Sequence, residues 1–461
     1  MGRKKEILIQ HATLVNEGNI YEGDLGISEG RIVDPCELHT DECEKIDATG
    51  CYLLPGVIDT HVHFRDGGDG SNPAGDFYTE SRAALAGGVT SVIDMPNTQP
   101  QTTTIEALEA KEHIGAEKSA VNYGFMLGAT NDNIEQLLQI EPSRYAAIKL
   151  FLGSSTGNML VNNSEKLDQL FAESKKLIVA HCEEEGIIQA NMANLKAEFQ
   201  GTPKETAALH PKVRNTEACF ISTYKAIERA RRWGTRLHIA HLSSATELDL
   251  LSNHDLQDKH ITAEVTPNHL WFDERDYAQL GNQIKCNPSI KSNDDRLALW
   301  AALYDGLIDT IGTDHAPHPW EAKQKPYFDA PSGIPSIQHS LPMMLETFFN
   351  PTIPQRSDES LIQTWLPLIV EKMCHNPAQL FGIKERGYLR KGYWADLVLV
   401  RPTMAEGKRI EKKDLLYKCG WSPLEGEILH TEIVRTFVNG GQGPMRLQFE
   451  QSQQTSNLPN S

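Results

Sequence analysis

Between residue 51 and about residue 315 the chain alternates short apolar, β-branched runs with longer stretches whose apolar positions recur every three to four residues. Eight of the short runs read as strands: YLLPGVIDTHV, TSVIDMPN, AVNYGFMLGAT, YAAIKLFLG, KKLIVAHCEE, TRLHIAHLSS, ITAEVTPNHL and DTIGTDHAPH. Intervening segments such as DFYTESRAALAGG and NTEACFISTYKAIERARRWG read as amphipathic helices. Such alternation predicts an α/β fold in which helices cover a parallel sheet. Strand number alone leaves open a doubly wound sheet. The polar residues favour a (β/α)8 TIM-type barrel, because His61, His63, Asn97, Lys149, His181, His241 and Asp314 all fall at the C-terminal ends of predicted strands. A closed barrel gathers those ends at one mouth, where such barrels build their active sites.

The flanks carry a different pattern. KEILIQHATLVNEGNIYEGDLGISEGRIVD alternates apolar and polar residues around the turn signals EGN and SEG, and GYLRKGYWADLVLVRP and TEIVRTFVNGG repeat that style near the other end. These stretches predict a small β-sandwich assembled from both chain ends, with residues 1–54 and 381–445 as its two parts and residues 55–380 as the barrel. Its role is expected to be structural. The final stretch, residues 446–461, is rich in Gln, Ser and Asn and is expected to be disordered.

Composition narrows the function classes. The chain has 461 residues, 39% hydrophobic and 23% charged, which suits one large domain and a smaller one. A formal net charge of −18 argues against a nucleic-acid or anionic-membrane partner, and it requires a locally positive pocket for any small anionic ligand. The eight cysteines show no CxxC spacing and read as reduced thiols of a cytoplasmic protein. No segment has the length and apolarity of a membrane span, and the start shows no apolar signal region.

The candidate chemistry begins at GVIDTHVHFRDGG, where His61, His63 and Arg65 share one face if the extended conformation persists that far. Three cationic or potentially cationic groups on one side call for an anion, a metal or both. Imidazoles ending several buried strands, together with Asp314, form a ligand combination common for zinc. His238 and His269 are kept as supporting or structural residues nearby. Lys149 stands in an apolar strand, where desolvation would lower its pKa and leave a free amine able to capture carbon dioxide as a carbamate. Arg65 has two readings: an anchor for an anionic substrate, or a surface partner of Asp66 or Asp69.

The segments DTHVHFR, IKLF, AHCE, IAHLSS and GTDHAPH, in this order, resemble the amidohydrolase superfamily. HVHFR with MPNT and DHAPH resembles the dihydroorotase family within it. The resemblance covers about residues 50 to 345 closely and the flanks more loosely. It implies two zinc ions per chain, one held by His61, His63 and Asp314, the other by His181 and His241, with carbamylated Lys149 bridging and a hydroxide between the metals. Asp314 would be the catalytic proton shuttle. The substrate carboxylate would be bound by Arg65, Asn97 and His318, and the ring by Asn287 and the backbone around Ser332 and Gly333. The implied reaction is reversible cyclisation of N-carbamoyl-L-aspartate to dihydroorotate, in the pyrimidine (UMP) pathway, on a small-molecule substrate without nucleic-acid or membrane partners. A homodimer is compatible with it. The alternatives are a dihydropyrimidinase, hydantoinase or allantoinase, which would share the metals but give Arg65 no task, or a non-catalytic dihydroorotase-like scaffold. Two departures touch only substrate contacts: Asn268 stands for a histidine in TPNHL, and GIPSIQ has serine and glutamine for glycine and an acidic residue.

Overall fold

The computed structural model describes residues 6–39, 42–153, 159–198, 203–350, 359–403 and 406–450. The eight predicted strands are all present and form the barrel. They are β1 (Val57–Val62), β2 (Val89–Asp94), β3 (Asn122–Phe125, continuing as Leu127–Gly128), β4 (Ile148–Phe151), β5 (Ile178–His181), β6 (Leu237–Ile239), β7 (Ile261–Val265) and β8 (Thr310–Ile311). Every adjacent pair from β1 to β8 is parallel. At Met126 the chain steps between neighbours: Met126 N–H donates to Asp94 O of β2, while Leu127 N–H donates to Ala147 O beside β4. The round is linked beyond β8 by a parallel bridge between Val62 and His315 and by His63 N–H donating to His315 O at 2.8 Å. Nearly every strand residue is buried, which is why these strands read as continuous apolar runs rather than as alternating ones.

The helices between strands begin and end where their caps require. The helix Phe77–Ala86 starts at Asp76, whose carboxylate accepts from Thr79 N–H. The helix Thr216–Trp233 starts at Asn215 and ends at Gly234, which takes the left-handed conformation (φ 67°) that a side chain would strain.

Both chain ends meet in a second, mixed sheet of seven strands. Thr431–Phe437, Leu397–Pro402, Tyr52–Pro55, Ile7–Asn16, Asn19–Ser28 and Arg31–Val33 follow one another across it, and Glu44–Asp47 also pairs with Ile7–Asn16. A register shift between Ile9 and Ala12 bends that long strand, so its first half pairs with Glu44–Asp47 and its second half with Tyr52–Pro55. The sheet has its own core of Ile7, Ile9, Ile27, Leu53, Leu397, Leu399 and Phe437.

Residues 446–450 differ from the expectation of a disordered tail. Arg446 bridges Tyr123 in parallel, Phe449 bridges Ile383 antiparallel, and Leu447 and Phe449 are buried with Ile58, Ile93 and Met126. Apolar residues at alternate positions outweigh the polar composition there. The rest of that predicted tail, 451–461, lies outside the described residues. None of the eight cysteines is in a disulfide, and no helix among the described residues is long and apolar enough to cross a membrane.

Candidate active site

The sequence-predicted site residues converge on one cavity of about 290 Å³ at the C-terminal mouth of the barrel. His61, His63, Arg65, Asn97, Lys149, His181, His241, Asn287, Asp314 and His318 all line it, together with Ser332 and Gly333.

Around Asp314 the imidazoles are held in defined tautomers. His61 Nδ1 lies 2.6 Å from Glu264 Oε1, so the ring proton sits on Nδ1 and the Nε2 lone pair faces Asp314 Oδ1, 3.3 Å away. His63 Nδ1 lies 2.6 Å from Asn97 Oδ1, which leaves its Nε2 facing the same carboxylate oxygen at 3.0 Å. Across the cavity His181 Nε2 lies 3.0 Å from Glu183 Oε2, and its Nδ1 is 2.9 Å from His241 Nε2. The Glu183 charge is in turn paired with Arg214. Burial keeps His61, His63 and His241 below the ordinary imidazole pKa, which is the neutral, lone-pair-bearing state. Asp314 goes the other way: burial pushes its pKa up, but positive charge and N–H donation from His61 and His63, which those rings supply only when protonated toward it, outweigh this and hold it well below the usual carboxylate range.

These donors fit a metal. His61, His241 and Asp314 offer three ligand atoms within 4.8 Å of one another. Two ligand atoms on a tetrahedral zinc, each about 2.0–2.1 Å from it, stand roughly 3.3 Å apart, close to the separations around Asp314. A cation would also let the facing nitrogens of His181 and His241 both present lone pairs. Lys149 is the strongest sign of an absent partner: its side chain is 0% exposed, and Nζ has no hydrogen-bond partner among the described residues. Burial drops its pKa to about 8, so a free amine is accessible near neutrality.

Arg65 reaches the cavity by a different route from the one the strand pattern suggests. β1 ends at Val62, and Arg65 has φ 63°, a left-handed turn that breaks the alternation. His241 (φ 38°) and Asp314 (φ 48°) are also left-handed, beyond the ends of β6 and β8. Three candidate site side chains are thus aimed by left-handed backbone rather than by strand pleat. The two carboxylates that follow Arg65 in the chain are engaged elsewhere. Asp66 pairs with Lys118 at 3.2 Å and accepts from Gly68 and Phe77 N–H, and Asp69 accepts from Ser71. Arg65 Nη2 lies 3.4 Å from His318 Nε2, and its buried Nε has no partner among the described residues.

The profile of the Amidohydrolase family matches residues 52–441. The chain belongs to the amidohydrolase family. Among curated relatives of this amidohydrolase, a dihydroorotase from Methanothermobacter thermautotrophicus is 31% identical over 423 residues, covering 90% of each chain. An L-hydantoinase from Paenarthrobacter aurescens is 29% identical and covers 94% of this chain and 93% of its own. Among solved structures, the L-hydantoinase (dihydropyrimidinase) from Arthrobacter aurescens superposes with a TM-score of 0.84 at 27% identity, over 97% of this chain and 96% of that one.

Sequence reasoning missed Glu264, which orients His61, and Glu183, whose carboxylate lies 3.0 Å from His181 Nε2. Each had a signal: Glu264 is a lone acid in the apolar strand ITAEV, and Glu183 stands two residues beyond His181 in AHCEEE. Histidines kept as candidates nearby serve the framework of this amidohydrolase. His238 Nδ1 bonds Thr262 Oγ1 at 2.9 Å, and His269 lies between Thr266 Oγ1 and Pro288 O.

Proposed function

We propose that this amidohydrolase is a dihydroorotase, interconverting N-carbamoyl-L-aspartate with (S)-dihydroorotate and water in pyrimidine synthesis. Arg65 carries the reading. Its guanidinium lines the cavity beside the histidine cluster while both neighbouring carboxylates are satisfied elsewhere, and a substrate carboxylate is the group its fork fits. The archaeal relative named dihydroorotase supports the same reading. A hydantoinase or dihydropyrimidinase is the second reading, favoured by the solved neighbour; its uncharged ring would give Arg65 no substrate carboxylate to bind.

His61, His63 and Asp314 would hold one zinc, His181 and His241 a second, and Lys149 both, once its amine has added carbon dioxide, forming an N–C bond and releasing a proton. Metals held so would supply a water of near-neutral pKa and a polarised carbonyl. The chain's own groups do the rest. Arg65, with His318 beside it and the NH2 end of Asn97, binds the carboxylate and fixes the ring's orientation. Asn287 Oδ1, buried and without a partner among the described residues, can accept a ring N–H. Asp314, held ionised, takes the proton of the attacking water and returns it to the departing nitrogen as the ring amide C–N bond breaks. In cyclisation the same carboxylate relieves the ureido nitrogen of its proton as that C–N bond forms and a C–O bond breaks, releasing water.

Turnover of dihydroorotate, dihydrouracil, hydantoin and allantoin by one metal-loaded preparation tests this proposal. Dihydroorotate should be strongly preferred. A preference for any uncharged ring would replace the dihydroorotase reading with the second one.

A further inference from the structure

Lys323 is 0% exposed, and its Nζ donates to three backbone carbonyls: Lys285 O at 3.0 Å, Pro331 O at 3.0 Å and Gly333 O at 2.9 Å. Two of these flank Ser332. With the carbonyls on either side turned to Lys323 Nζ, Ser332 O lies 3.0 Å from His318 Nε2. A carbonyl only accepts, so it selects the imidazole tautomer with the proton on Nε2. Gly333 packs against the same ring: it has φ 145°, and a Cβ there would stand 2.9 Å from His318 Cδ2 and 2.3 Å from Ala316 O. Trp421 Nε1–H holds the His318 carbonyl at 2.8 Å, so the backbone of His318 is fixed separately from its ring.

The tautomer matters because Arg65 Nη2 is 3.4 Å from that same Nε2. With its proton on Nε2 and donated to Ser332 O, His318 offers Arg65 no acceptor there, so the guanidinium stays unpaired and open to a carboxylate. With the proton on Nδ1 instead, Nε2 becomes an acceptor for Arg65, and the two groups satisfy each other rather than a ligand.

We infer that Lys323 is a positioning residue for the anion end of the site: by clamping the carbonyls around Ser332 it keeps the His318 Nε2–H on Ser332 O, so that His318 does not accept from Arg65 and the guanidinium stays open to a carboxylate-bearing ring. The inference rests on the dihydroorotase reading for its substrate, and on the geometry alone for the tautomer.

The test uses the metal-loaded enzyme with ¹⁵N-labelled histidine, its His318 signals identified by their loss in His318→Asn. Wild type should show a protonated Nε2 at His318, and Lys323→Met should shift the proton toward Nδ1. In the same variant KM for dihydroorotate should rise on the order of tenfold, while kcat/KM for dihydrouracil changes far less, the scale of one lost charge-assisted hydrogen bond. Lys323→Arg, which keeps N–H donors at that position, should recover part of both. If Lys323→Met does not fold, Lys323→Gln, with two N–H donors, should give the same shift in smaller measure. An unchanged His318 tautomer in a folded variant, or equal losses on both substrates, would overturn the inference. A wild-type enzyme that ignores dihydroorotate would instead refute the proposed function, and the imidazole signal would still decide what Lys323 does.

Discussion

Replacing Arg65 with methionine removes the guanidinium and keeps an unbranched side chain of similar reach. The residue's φ of 63° is retained by either side chain, so the substitution adds no new backbone strain. No neighbouring carboxylate is orphaned, because Asp66 remains with Lys118 and Asp69 with Ser71. The melting temperature should therefore stay within a few degrees of wild type or rise, since a desolvated cation has been removed. Metal content should be unchanged, because Arg65 contributes no ligand. Dihydroorotate turnover should collapse. Two charge-assisted N–H···O contacts are worth about 1.5–3 kcal/mol each, and the partial exposure of Arg65 trims their sum to about 3–5 kcal/mol, a fall of roughly 150- to 5,000-fold in kcat/KM. Dihydrouracil lacks the carboxylate, so its low turnover should hardly move. The assay is kcat/KM for both rings on matched, metal-quantified preparations. Equal losses on both, or a large drop in melting temperature with loss of metal, would show that Arg65 maintains the loop and would remove the main argument for an anionic substrate.

Lys149→Ala should lose metal and turnover together, with short carboxylic acids in solution restoring part of both. Reactivation of metal-stripped wild-type enzyme by bicarbonate and zinc should quicken as pH rises from 6 through about 8 and then level, because the reacting form is the free amine and the Lys149 pKa is depressed to about 8 by burial; a flat profile would argue against carbamate formation. Asp314→Asn should fold, since asparagine tolerates the φ of 48° found there, yet lose turnover in both directions; substantial residual activity would move the proton shuttle elsewhere. Glu264→Gln should weaken zinc binding by about 10- to 100-fold in competition with a chelator, because His61 loses the carboxylate that raises its basicity, and unchanged affinity would reduce Glu264 to packing.

The barrel and its histidines were readable because imidazoles, a lysine and an aspartate interrupt runs that are otherwise apolar, and parallel strands buried on both faces give few other reasons for such residues. Arg65 was readable as a residue but not as a conformation: alternation places it on the face of His61 and His63, whereas a left-handed turn takes it to the cavity. Glu264 and Glu183 went unread because one acid in a strand or a turn looks like many others until a ring nitrogen stands beside it. Lys323 was invisible for another reason. Its partners are carbonyls, which every residue possesses, so no side-chain pattern marks them. At the far end, Leu447 and Phe449 carried a period-two signal that polar composition overrode.

The mixed sheet has a consequence for how the molecule comes into being. Tyr52–Pro55 lies between Ile7–Asn16 and Leu397–Pro402, so one of its edges is closed by a strand translated almost 350 residues later. At about 5–20 residues per second that delay is on the order of 20 to 70 s. For that interval the nascent chain carries an open β-edge, with Leu53 and Leu54 still lacking partners from the later strand. The residues of the barrel mouth, His61 to Gly333, are all translated before that edge closes, so the barrel can assemble while the second sheet is still open to pairing with another chain.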